Sequence, residues 1–200
     1  MKKIILSSLL LVVVLISCNQ KNKQEQNVNT VEETEVKAEE TEAADEITEV
    51  SDAVKASVAT EAIINGYLKI KNALANDKSK EATMAANDFV KAVLATNSDK
   101  IDSKLIEKYK TITESAKKQA DLIVSNDGKI AEQRKHFAVL SKDITNLIAT
   151  FGTDKKLYQD YCPMYNEGKN GYWISEIKEI KNPYYGSEML SCGGMIKEIK

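Results

Sequence analysis

The chain has 200 residues, with 30 acidic and 28 basic side chains, one histidine and three cysteines, for a formal charge of −2. A charge so close to balance excludes the basic excess of a nucleic-acid binder. The length suits one modest domain rather than two large ones.

The N-terminus reads as a targeting segment. Lys2 and Lys3 precede an apolar run over residues 4–16. That run is shorter than the roughly 20 residues a spanning helix needs, and it has the form of a secretory signal. It ends in Leu15-Ile16-Ser17-Cys18, which resembles the lipobox of bacterial lipoproteins: Leu at −3, a small residue at −1, Cys at +1. The resemblance implies a lipoprotein signal peptide over 1–17 and lipid on Cys18. Asn19 follows where an Asp would resemble the inner-membrane retention signal. The expected place is therefore the outer membrane of the bacterial envelope, facing the periplasm.

Residues 19–56 carry 11 acidic and 4 basic side chains and no aromatic residue, Gly or Pro. Such a segment cannot bury enough apolar surface to offset the entropy of ordering. Residues 18–56 are expected to form an acidic disordered tether.

Helical periodicity begins at Ser57. Ile63, Tyr67, Ile70 and Leu74 recur on one face, widened by Ile64 and Leu68. NDKSKEA then supplies a turn, with Asp77 or Ser79 able to cap the next helix. Ala82, Ala85, Phe89 and Val93 mark a second stripe. Leu105, Tyr109, Ile112, Ala116, Ala120 and Ile123 mark a third. Gly128 is free to adopt positive φ in the turn after it. Ile130, Phe137, Ile144 and Phe151 fall seven apart, joined by Leu140 and Leu147, and Gly152 suits the helix end. Four amphipathic segments with short connections predict an all-α fold, an antiparallel four-helix bundle over 57–155.

The composition then shifts. Six of the eight tyrosines, the only tryptophan and both prolines lie between Tyr158 and Gly194. Residues 156–200 are expected to form an irregular, aromatic, sulfur-rich cap packed on the bundle. Gly171-Tyr172-Trp173-Ile174 and GGMIKEI are candidate strands of a short β-hairpin.

No nucleophilic enzyme is indicated. One histidine and no phosphate-binding glycine loop leave little for catalysis. The sulfur residues are more informative. Cys162 and Met164 stand two apart, while Met189, Cys192 and Met195 stand three apart. Thiolate and thioether are soft ligands suited to Cu(I) and Ag(I). Zinc calls for more Cys and His than one pair plus one His, and no EF-hand spacing appears. His136 sits one step aside from the buried stripe, at the border of core and solvent. It is either a half-buried, hydrogen-bonded histidine or a group facing the cap that joins a metal site. With Cys18 lipidated, Cys162 and Cys192 remain as an even pair in an oxidising compartment, so a disulfide between them stands as the alternative to a metal site.

Several strings of the C-terminal half fit one pattern: R-K-H-F-A-V-L-S (134–141), C-P-M (162–164), G-Y-W-I-S (171–175), E-I-K-N-P-Y-Y-G (179–186) and M-L-S-C-G (189–193). Together they resemble a bacterial envelope domain-of-unknown-function family, found alone or at the C-terminus of copper/silver-efflux periplasmic adaptors. The resemblance covers roughly residues 57–199. It implies a helical bundle with this cap and heavy-metal handling, most plausibly of copper, with no reaction attached. His136, Cys162, Met164, Met189 and Cys192 match its motif positions as ligands, and Met195 lies outside the pattern. The chain lacks an adaptor's hairpin and barrel regions. It is therefore expected as an accessory to such an adaptor and not as the adaptor itself.

Overall fold

The computed structural model describes residues 50–167, 169 and 171–199. Cys18, the signal segment and all but the last residues of the tether lie outside the described residues.

Five helices are followed by a small sheet. Helix α1 is a single turn, Asp52–Lys55, within the segment expected as tether, and it buries none of its own residues. The long helices are α2 (Glu61–Ala75), α3 (Ser79–Ala95), α4 (Ser103–Ser125) and α5 (Ile130–Phe151). Each buries most of the stripe expected of it, with Val93, Leu105 and Ile130 only partly covered. Ile63, Ile64, Tyr67, Leu68, Ile70 and Leu74 of α2 meet Ala82, Ala85 and Phe89 of α3, Ile112, Ala116, Ala120 and Ile123 of α4, and Phe137, Leu140, Ile144, Leu147 and Phe151 of α5 in one core. Sequence neighbours pack most closely: α2 on α3, α3 on α4, α4 on α5. Gly128 and Gly152 both take positive φ, 78° and 72°, and α5 ends at Gly152.

Asp77 does not cap α3. The residue before that helix is Lys78, and no side chain caps it. Asp77 itself has φ 58°, and its carboxylate accepts from Arg134 of α5 and from the backbone N–H of Ser187. The turn residue is used for a long-range tie in place of a local cap. Ser79 likewise donates to the buried Gln133 of α5 (2.7 Å) and accepts from the N–H of Gly128 (2.8 Å). Gln133 also donates to Ser79 O, Thr83 Oγ1 and Ile123 O, so one fully buried amide joins α3, α4 and α5.

Gly66 of α2 is required by packing. A Cβ there would stand 3.0 Å from Phe89 Cα on α3. Gly66→Ala should therefore lose about 1–3 kcal/mol to overpacking, against a helix-propensity gain of about 1 kcal/mol. Urea denaturation checks this; a net stabilisation would show that α3 can move away.

The C-terminal region corrects the all-α expectation. It holds a three-stranded antiparallel sheet of β1 (Leu157–Cys162), β2 (Gly171–Ser175) and β3 (Gly194–Ile199), in the order β2-β1-β3. Both strands foreseen for a hairpin exist, but they do not pair with each other. They flank β1, which the sequence did not announce: Asp160 pairs with Trp173 on one side and with Met195 on the other. A bulge between Gln159 and Asp160 shifts the β1–β3 register. β2 lies against α5 and α2, and the N–H of Ile174 donates to the Tyr67 hydroxyl at 3.0 Å.

Candidate functional site

The cap is fixed to the helices by aromatic rings and by a few long-range hydrogen bonds. Tyr67 stacks on Phe137 (5.2 Å between centroids), Phe137 meets Tyr184 (5.8 Å), and Tyr184 contacts both Trp173 (5.9 Å) and Tyr165 (4.0 Å). Rings at such spacings add about 0.5–1.5 kcal/mol per pair beyond their burial. The Tyr184 hydroxyl donates to the Tyr172 carbonyl, and burial pushes its pKa well above the ordinary value. Arg134 of α5 donates to Pro183 O (2.9 Å), to Leu74 O (2.9 Å) and to Asp77 (2.6 Å). Asp77 also holds Ser187 of the 3-10 turn Gly186–Glu188 at 2.9 Å. The cap is thus tied to the C-terminal end of α2 through α5.

Two sulfurs meet inside this cap. Cys162, the last residue of β1, is fully buried. Cys192 is half-buried in the turn before β3, and both are free thiols. Partial burial and then the neighbouring Cys162 thiol push the Cys192 thiol above its ordinary pKa. Gly193, at φ 138°, lets the chain pass directly against the Tyr161 carbonyl, where a Cβ would collide. That approach seats Cys192 beside the end of β1.

Asn182 holds the turn in place. Its N–H donates to Leu190 O (2.8 Å), its Nδ2 to Cys192 O (2.9 Å), and its Oδ1 accepts from the N–H of Tyr184 (2.8 Å). It has no exposed surface. Cys192 N–H donates to Met189 O at 3.0 Å, so these two residues share one tight turn.

The methionines lie outward. Met164 is 56% exposed, Met189 40% and Met195 43%. The Met164 carbonyl accepts from the Tyr185 hydroxyl, and Met195 stands across from Asp160 on β3. His136 is half-buried and turned to α4, with Nδ1 3.1 Å from Gln119 Oε1. The charged side chain of α5 that reaches the cap is Arg134, two residues earlier, beside the apolar contact of Phe137. Among the described residues, no group of three or more His, Cys, Asp or Glu forms a metal cluster.

A second polar cluster lies at the junction of β1, β2 and α2. Lys71 has no exposed surface, and its Nζ donates to Glu176 (2.8 Å) and, at 3.4 Å, to Ser175. Asn72 donates to the other Glu176 oxygen (2.6 Å). Burial alone would raise the Glu176 carboxyl, but these two donors hold it below its ordinary pKa. Asp160 has no such partners. Both carboxylate oxygens and the nearby Trp173 Nε1 are buried without a hydrogen bond of acceptable geometry. Burial raises Asp160 to about 6, against smaller lowering by the Lys71 charge and the Trp173 indole.

Residues 63–156 match the family described as a protein of unknown function (DUF3347). The matched stretch takes in most of α2, all of α3 to α5 and the 134–141 motif. It ends immediately before β1, so the cap motifs stand outside it. No curated protein and no solved structure matches the chain.

Proposed function

We propose that this protein is a lipid-anchored, periplasm-facing envelope protein that binds a soft metal ion, Cu(I) or Ag(I), as a non-catalytic accessory to heavy-metal efflux or tolerance. In this reading α2 to α5 form an antiparallel four-helix scaffold. Lipid on Cys18 holds the protein to the outer membrane, and the partner is a copper/silver-efflux adaptor. The supporting observation is the meeting of Cys162 and Cys192, brought from different segments to one place beneath the cap. Paired thiolates are soft donors that favour Cu(I). Met189, in the same turn as Cys192, and Met164, just after Cys162, supply thioethers on the outer side. His136, hydrogen-bonded to Gln119, is left with α4 in this ligand set.

The same contact supports a second reading, in which Cys162 and Cys192 close as a disulfide and the cap docks to an envelope partner. The neighbouring placement of the two thiols serves it equally. Closing a loop of about 31 residues would contribute roughly 3–4 kcal/mol before strain.

Thiol counting and metal titration decide between them. Protein isolated without reductant should show two free thiols beyond Cys18. After reduction it should compete with a chelator for one Cu(I), and Cys162→Ser and Cys192→Ser should each abolish this. Met164→Leu and Met189→Leu keep the side-chain volume and should lower affinity without loss of stability. Absence of tight Cu(I) binding by the reduced protein overturns the metal reading, and full free thiols in freshly isolated protein overturn the disulfide reading.

A further inference from the structure

The geometry points to Asn182 as the positioning residue that sets the Cys192 thiol against Cys162. The inference rests on the reading above that these two thiols act as a pair, and it names what holds them together. Cys192 lies in an irregular turn that has no strand partner of its own. β3 begins only at Gly194. What fixes the turn is Asn182, which grips it at two points: the backbone N–H takes the Leu190 carbonyl at 2.8 Å, and Nδ2 takes the Cys192 carbonyl at 2.9 Å.

The clamp is itself rigid. Asn182 is fully buried, and its remaining side-chain atom, Oδ1, accepts the Tyr184 N–H at 2.8 Å, closing an Asx-type turn over Pro183. Its own carbonyl accepts the Gly186 N–H at 3.1 Å. Pro183 is anchored in turn by Arg134 of α5. Two hydrogen bonds joined by the Asn182–Pro183 peptide therefore lead from α5 to the residue that bears the thiol. Only an amide side chain satisfies both ends. Asp offers no donor to the Cys192 carbonyl and would leave a carboxylate against it, and a shorter side chain cannot reach both groups.

Asn182 acts through Cys192 and touches no ion itself. A residue of this kind sets an effective concentration: the clasp keeps the thiols near one another, and without it the turn samples positions in which they are apart.

The test is thiol–disulfide exchange of the full chain with oxidised and reduced glutathione. In that exchange one oxidised glutathione takes two electrons and two protons from Cys162 and Cys192, giving one protein disulfide and two reduced glutathiones. Asn182→Ala should lower the equilibrium constant at least tenfold, and Asn182→Asp should act in the same direction while keeping the Oδ1 acceptor. Ile144→Val, a core change in α5 remote from the turn, serves as the control for overall destabilisation and should leave the constant unchanged. Asn182 variants with wild-type exchange, or a parallel loss in the Ile144 control, overturn the proposal. Should Asn182→Ala fail to fold, Asn182→Asp and the Ile144 control decide the matter. A Cu(I) titration of the same proteins separates the two ideas. Failure of the wild type to bind removes the metal reading alone, because the exchange measurement still tests Asn182.

Discussion

Lys71→Met should be the most damaging single change in the described part of the chain, with a loss of about 3–5 kcal/mol in unfolding free energy. The ammonium is fully buried, while its partner Glu176 is 33% exposed at the side chain. Glu176 recovers some solvation when Lys71 is removed. Asp160 does not, because both its oxygens are enclosed and Lys71 is the cation whose charge reaches it. The loss comes mainly from stranded negative charge and only secondarily from the missing hydrogen bonds. Adding Asp160→Asn and Glu176→Gln to Lys71→Met should restore most of the stability, since a neutral set of similar shape carries no uncompensated charge. The sites touch, so their effects must be non-additive. Urea midpoints at constant slope measure both. A loss under about 1 kcal/mol for the single variant would show that water or backbone motion rescues the site.

Asp160→Asn alone should stabilise the protein at neutral pH. The folded carboxyl sits at about 6, above its ordinary value of 3.8, because burial disfavours its charged form. The folded state therefore holds a proton more tightly than the unfolded chain. Stability from this group falls as pH rises from about 4 to about 6 and is level above that window. At roughly 1.4 kcal/mol per pH unit the fall amounts to about 2–3 kcal/mol. Asn removes the ionisation, so wild type and variant should differ most at pH 7 and approach each other near pH 4. Asp143 is also raised by burial, against the Ser115 hydrogen bond, and Glu176 is lowered. Asp143 is remote from the change and cancels in the difference, while Glu176, which shares Lys71 with Asp160, titrates at lower pH, so the difference above pH 5 reports Asp160. Equal differences at pH 4 and pH 7 would sink the assignment.

The helical part of this fold was legible because its core positions repeat. Phe137, Ile144 and Phe151 fall seven apart and are all fully buried. The polar residues that matter were legible in a weaker sense. Lys71 stands four after Tyr67 and three before Leu74, inside an apolar stripe, and Gln133 stands four before Phe137. A polar residue in a buried stripe marks a site that must be paired, but the pattern does not say with what. The partners came from far along the chain: Glu176 for Lys71, Ser79 and Thr83 for Gln133.

β1 was hidden for a physical reason. Burial alternates from Tyr158 to Cys162, but residue type does not follow it: the inward position 160 is an Asp, a poor strand former, and the outward position 161 is a Tyr. The two outer strands were visible, but their separation in space by a third was not. The meeting of Cys162 and Cys192 was open to suspicion from their even count. Which polar side chain of α5 reaches the cap was not: His136 and Arg134 are two apart, and helix phase turns the histidine to Gln119 and the arginine to Pro183.

The packing of Trp173 gives this protein an internal optical gauge. It is the only tryptophan in the chain and has no exposed surface. It stands beside the Asp160 carboxylate and edge-on to Tyr184, at the seam where sheet meets helices. Its emission should be blue in the folded protein, change in intensity as the neighbouring carboxylate gains or loses its charge, and move to the red when the sheet parts from α2 and α5. Tyr184 and Tyr165 stand near enough to pass excitation to it. One unlabelled fluorescence channel therefore follows the charge state of the cluster and the seating of the cap together, in the same sample and without an added dye.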